Sequence, residues 1–192
     1  MYSTLIEALE QYIVLDRDET KLVAEYVQER SYEKGDFILK TPNVCTEIGF
    51  ALLGVLRYYY IDEEGSEMTD MFMQEGDFFT DLESFRNKTP SNGYIQALSK
   101  AEVLIFDTRT HKALRKRITG WDRAFNQIAE ERLLNQLTFS RSLVKDDALD
   151  AYKRFLATYP AIAARVSNLH LASFLGISRY TLSRIKSQIE KE

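Results

Sequence analysis

The sequence predicts an α+β chain in three parts: an N-terminal β sandwich or barrel preceded by short helices, one long helix, and an all-helical C-terminal unit. Three observations carry this. Between Tyr32 and Asp107 the apolar residues shift towards alternation and turn signals recur. From Trp121 an apolar stripe at helical spacing runs for roughly twenty-three residues, about twice the usual helix length. The last quarter then reads as helix, glycine turn, helix.

Two short helices open the chain, with Leu5, Leu9 and Ile13 on one face and Leu22, Val23, Tyr26 and Val27 on the next; Asp16 to Asp18 separates them. Strands follow at Phe37 to Leu39, Gly49 to Leu53, Val55 to Ile61, Met68 to Met73, Tyr94 to Leu98 and Val103 to Phe106. Between them stand Lys34-Gly35-Asp36, Gly54, Glu63-Glu64-Gly65, Glu75-Gly76-Asp77 and Ser91-Asn92-Gly93, the residue types that turns require. Thr108 to Ile118 reads as a short basic helix with Thr110 as its cap, and Gly120 breaks it. The long helix presents Trp121, Phe125, Ile128, Ala129, Leu133, Leu137, Phe139 and Leu143 on a face too wide for one domain to cover, so it is expected to form a dimer seam that includes Ile128. Lys145-Asp146-Asp147 is the expected hinge, with Asp147 capping a helix through Phe155. The expected boundaries are 1–118, 119–144 and 145–192.

At 192 residues the chain can bury one good core plus a small helical domain. Cys45 is the single cysteine, which excludes an intramolecular disulfide and any four-cysteine zinc or iron-sulfur site within one chain, and it is expected to be a small packed residue. An enzyme would need a nucleophile with a base, or clustered ligands. The only histidines are His111 and His170, and none lies in the strand region 32–107, where a metal-binding β barrel would need several. No catalytic residue, metal site or cofactor is therefore expected. No run of about eighteen apolar residues and no basic-then-apolar leader is present, so a cytoplasmic location without membrane contact is expected.

The C-terminal unit carries the chemistry. Leu169, Ala172 and Leu175 recur at helical spacing, Gly176 permits a sharp turn, and Ile177 plugs the angle between two helices. Ser178 caps the second helix, whose inner stripe is Leu182, Ile185 and Ile189 and whose outer face carries Arg179, Tyr180, Ser183 and Lys186. From Lys153 onwards there are seven Lys or Arg against Glu190 and Glu192, a balance of +5 in a chain at −4 overall. Clustered cations in an otherwise acidic chain are what phosphate binding needs. The expected partner is double-stranded DNA: Arg179 reads a guanine edge with Tyr180 and Arg184 beside it. Ser178, Thr181 and Lys186 hold phosphates, and the backbone around Ser167 and Asn168 helps.

Leu171 to Ile185, with Ser178, Arg179, Thr181 and Arg184 at the spacing Ser-Arg-x-Thr-x-x-Arg, resembles the operator-reading unit of Crp/Fnr-type transcriptional regulators. Ala148 to Val166, with Tyr152, Phe155, Leu156, Tyr159 and Pro160, resembles the helix that precedes it in short members. The resemblance implies a double-stranded β-helix (jelly-roll-like) sensor of the cyclic-nucleotide-binding type, a dimerisation helix and a helix-turn-helix. It also implies a homodimer on a pseudo-palindromic operator, with RNA polymerase and an unidentified small-molecule effector as further partners. The chain stops at Glu192, so the family's C-terminal wing is not expected. Where the family's effector pocket binds ribose and phosphate, this sequence reads Gly76-Asp77-Phe78-Phe79 and Ser91-Asn92-Gly93-Tyr94. The phosphate-binding arginine is missing, and a hydroxyl does not replace the guanidinium fork. Independence from cyclic AMP is the expectation, with a neutral or apolar effector drawn to Phe78, Phe79 and Tyr94. The alternative is a ligand-sensing or scaffold protein that does not bind DNA specifically.

Overall fold

Alternating apolar residues at the centre of the N-terminal part build two face-to-face sheets. The structure, a computed structural model, describes residues 2–189. Its strands are β1 (Gln28–Tyr32), β2 (Phe37–Leu39), β3 (Glu47–Leu53), β4 (Leu56–Ile61), β5 (Glu67–Met73), β6 (Phe78–Phe79), β7 (Gly93–Ala97) and β8 (Ala101–Asp107). They pair antiparallel in two sheets, ordered β1-β8-β3-β6 and β2-β7-β4-β5. Leu39, Leu56, Met73, Phe79, Ile95, Val103 and Ile105 fill the space between them. β3 and β8 are buried on both faces, because Ile48, Phe50, Leu104 and Phe106 point outward under helices; this is why both read as nearly continuous apolar runs. A Cβ on Gly49 would lie 2.0 Å from the Phe79 ring and one on Gly93 2.3 Å from the Tyr58 ring, so the ends of both rings fill space that only glycine leaves open.

Helices α1 (Tyr2–Glu10) and α2 (Arg17–Tyr26) cover the outer face of the β1-β8-β3-β6 sheet. α2 starts at a reciprocal cap, in which Asp16 accepts from the Glu19 amide and the Glu19 carboxylate accepts from the Asp16 amide. α3 (Leu82–Asn87) and α4 (Thr108–Arg117) follow, then α5 (Trp121–Lys145), which begins on the left-handed Gly120. The first two turns of α5 press Trp121, Ala124, Phe125 and Ile128 into the same core. Ile128 is thus buried within its own chain instead of lying open as the expected seam position would; a 3.6-residue period cannot tell one's own core from a partner's. Among the described side chains of α5 the large apolar ones left open are Leu133, Leu134 and Leu137, at 51%, 54% and 43% exposure.

After the break at Asp146, Asp147 caps α6 (Ala148–Thr158) through the Leu149 and Asp150 amides, as expected. α7 (Pro160–Ala163), α8 (Asn168–Leu175) and α9 (Arg179–Ile189) complete the chain. Phe155, Ile162, Leu171, Ala172, Leu175, Leu182 and Ile185 form their core, and Phe72 of β5 and Phe139 of α5 belong to it as well. Leu169 is half exposed and Leu171 takes the inner position assigned to it, two residues along the helix. The cap of α4 is Asp107, whose carboxylate accepts from the Thr110 amide, instead of Thr110 itself. The expectation about a wing concerns chain beyond Ile189, outside the described residues. Among the described residues no helix is long and apolar enough to cross a membrane.

Phe155 is fully buried and meets Phe72, Phe139, Tyr159 and Phe174 at ring-centroid distances of 5.4 to 6.4 Å. Phe155→Ala is expected to cost about 3–5 kcal/mol of stability, read as a lower denaturation midpoint, because the surrounding rings come from β5, α5, α8 and the α6–α7 junction, which cannot collapse together.

Candidate functional site

The helix-turn-helix is set by three local interactions. The Ser167 hydroxyl caps α8 through the His170 amide at 3.3 Å, Gly176 ends it with φ +66°, and the Ser178 hydroxyl accepts from the Thr181 amide at 3.0 Å to start α9. With Leu182 and Ile185 buried, Arg179, Tyr180, Ser183 and Arg184 face outward, Tyr180 at 80% exposure. Arg179 and Arg184 pair with no acid among the described residues. Ser167, Asn168 and Ser178 are also exposed, and Thr181 is half-buried. Lys186 is half-buried and donates to Asn168 Oδ1 at 2.6 Å, so it braces the two helices more than it projects from them. The basic balance read from the sequence also narrows, since Arg154 pairs with Asp146 at 2.6 Å and Arg165 with Glu75 at 2.7 Å.

α8 lies on the outer face of β5. The Ser173 hydroxyl donates to the Glu67 carbonyl at 2.5 Å and accepts from the Thr69 amide at 2.8 Å. Arg165 grips the Glu75 carboxylate with two bonds of 2.7 and 2.8 Å, and the Gly54 amide adds a third at 2.7 Å. These bonds, the Arg165 hydrogen bonds first, hold the Glu75 carboxyl down to about 2 against its ordinary 4.5. On the same sheet face Arg57, 2% exposed, bonds Glu67 at 2.6 Å and Gln96 at 2.7 Å and stacks on Tyr59. His170 of α8 is half-buried, and burial first, then the Arg57 charge, lowers its basicity.

A cavity of about 640 Å³ opens between the sandwich and α5. Met71, Met73, Phe78, Phe79, Phe125 and Ile128 supply its apolar walls; Tyr58, Asp81, Arg86 and Asn126 are among its polar groups. Of the eight residues read as an effector pocket, only Phe78 and Phe79 line it. Gly76 is an exposed turn residue with φ +89°. Asp77 turns to α5, where it bonds Arg132 at 2.7 Å and burial raises its carboxyl. Asn92 is exposed and Gly93 lies under the Tyr58 ring. Tyr94 stacks on Tyr59 at 4.9 Å, on the opposite face of its sheet, because alternation places it out of phase with the inward Ile95. Ser91 is buried, donates to Asp81 at 2.6 Å and accepts from the Gly93 amide at 3.0 Å; Tyr58 donates to the same carboxylate at 3.3 Å, and burial raises its phenol. Tyr58 was missed, and nothing in its spacing distinguishes it from Tyr59 and Tyr60. Arg86 on α3 is exposed and donates to Asn126 at 2.8 Å. His111 accepts from the Trp121 indole at 3.1 Å within the aromatic core, a packing role. Cys45 is buried against Thr80 and the Glu47 carbonyl, as expected of a small packed residue.

Residues 29–117 match the family described as the cyclic nucleotide-binding domain. No curated protein sequence gives a significant match. Among solved structures the fold is similar to FixK2 from Bradyrhizobium japonicum, at 17% identity and TM-score 0.76, covering 86% of this chain and 85% of that one. It is similar also to a protein described as a transcriptional regulator of the Crp/Fnr family from Eubacterium rectale, at 19% identity and TM-score 0.70, covering 92% and 85%. The c-di-GMP-responsive global regulator CLP from Xanthomonas campestris matches at 15% identity and TM-score 0.70, covering 92% of both chains.

Because the Glu75 carboxyl is lowered in the folded chain, its contribution to stability is complete above about 4.5 and is lost as the pH falls towards about 2. Glu75→Gln is expected to be less stable than the parent at neutral pH and to flatten the acid limb of the stability curve across that window, as measured by urea denaturation at a series of pH values.

Proposed function

We propose that this chain is a transcription regulator of the Crp/Fnr type that binds a pseudo-palindromic DNA operator as a homodimer. The observation that carries this reading is the outer face of α9: two unpaired arginines, Arg179 and Arg184, flank an exposed Tyr180 on a helix whose opposite face is locked into its own core. On this reading Arg179 reads a base edge, Tyr180, Ser183 and Arg184 contact the groove, and Ser178, Thr181 and the start of α8 at Ser167 and Asn168 hold phosphates. Lys186 acts mainly by fixing the angle between α8 and α9. Residues 1–118 serve as the sensor, 119–144 as the dimerisation helix and 145–192 as the DNA-binding domain.

The aliphatic stripe Leu133, Leu134 and Leu137 supports the dimer, since three half-exposed leucines on consecutive turns of one helix are what a two-fold seam covers. Cyclic AMP is not the effector on this reading. The stretch that would face its phosphate is occupied by the hydrogen-bonded set of Ser91, Asp81 and Tyr58, which offers a carboxylate and no guanidinium. The large cavity, with its Met and Phe walls, suits a neutral, largely apolar molecule.

Sequence selection from a random DNA pool, followed by anisotropy titration of the winner with and without cyclic AMP, tests the reading. Nanomolar binding unchanged by the nucleotide is expected. Arg179→Ala should cost about 1–3 kcal/mol and relax one base position per half-site; unaltered base preference would refute the assignment. Leu137→Glu is expected to give monomers in sedimentation and to lose operator affinity with the fold intact, because the position is open in the single chain.

A further inference from the structure

A second cavity, of about 300 Å³, lies where β5, α5, α7 and α8 meet. Its walls are the rings of Phe72, Phe139, Tyr159 and Phe174. Two of its polar groups are unfinished: Thr69 is 5% exposed and its hydroxyl has no partner, and the buried Oε1 of Gln74 receives no donor. Beside them the Asp70 carboxylate accepts one bond, from Gln136 at 2.7 Å. Among the described residues the one cation in the lining, Arg132, is already committed to Asp77 at 2.7 Å and to the Met71 sulfur at 3.4 Å.

This chemistry selects its occupant. An anion would meet two carboxylates and find no free positive charge. A purely apolar molecule would leave Gln74 Oε1 and the Thr69 hydroxyl unpaired. An alkylammonium group answers each demand, because its N–H bonds can serve the open acceptors, its charge offsets Asp70, the carboxylate that Arg132 leaves without a cation, and its methylenes lie against aromatic faces that attract cations. We propose that this cavity is a binding site for a small aliphatic primary amine in its protonated form. Its walls come from the sandwich, the long helix and the helix-turn-helix together. The amine therefore binds only the docked arrangement of the three and stabilises it. Nothing in this depends on whether α9 reads DNA.

Isothermal calorimetry on the full chain with 1,4-diaminobutane, butylamine, n-butanol and butyrate tests the proposal. The two amines are expected to bind once per chain, butanol and butyrate not at all, and hydrogen exchange in α8 should slow when amine is present. Asp70→Asn keeps the shape and removes the charge, and should weaken the amines roughly tenfold. Ser140 is exposed on the rim, so Ser140→Trp blocks the cavity without touching a core and should abolish binding, with an unchanged melting curve in the absence of amine. Equal binding of butanol or butyrate, failure of both amines to bind, or full binding by both variants would each overturn the assignment; the last would place the amine elsewhere and leave only water in this cavity.

Discussion

Phe72 is the residue through which the parts of this chain are joined. It lies on the outer face of β5, is nearly buried, and meets Phe155 and Phe174 at 6.1 and 5.2 Å; Phe139 of the long helix packs on the same two rings. Each such ring pair is worth about 0.5–1.5 kcal/mol beyond its buried area. The contact also solves a problem of the sheet. β5 stands at the edge in the order β2-β7-β4-β5, and an edge strand leaves backbone groups open to unwanted pairing. Ser173 closes two of them with one hydroxyl, taking the Thr69 amide and giving to the Glu67 carbonyl. The helical unit is thus a cap on the edge of the sheet.

The charged contacts around that aromatic joint set geometry more than they add energy. Arg165 with Glu75 and Arg132 with Asp77 are partly open to solvent, where ion pairs contribute little. Each, however, has one acceptor geometry, and both arginines come from outside the sandwich. Arg57 is different. It is buried with one guanidinium nitrogen unpaired, so its cost is real and its orientation is held by Glu67, Gln96 and the Tyr59 ring.

The helices were legible because apolar period and caps agree: Ser167, Gly176 and Ser178 stand where a helix-turn-helix needs them, and Asp147 caps α6. Six of the eight strands showed in alternation and turns. β1, Gln-Glu-Arg-Ser-Tyr, did not, since an edge strand with both faces largely open carries no apolar rhythm. β6 has two residues, too few for a period, and α3 is a six-residue turn fixed by Asp81. The cavity walls were half legible: Phe78 and Phe79 are apolar wherever they point, whereas Tyr94 depended on strand phase, and one residue of phase moves a side chain to the other face. The charge balance overstated the free positive face, because the acid that Arg165 finds is ninety residues away.

Arg132, Gln136, Asp70 and Met71 line both cavities, which follow one another along α5. This sharing has a thermodynamic consequence. Were Arg132 to leave Asp77, that carboxylate, already raised by burial, would stand uncompensated beside the smaller cavity. A ligand moves an equilibrium only by its difference in affinity for the two states, and the coupling between two sites is the same read from either end. Arg132 and Gln136, one turn apart on the helix that also carries the open leucines, thus place both cavities and the docking of the helical unit on β5 against one segment of α5.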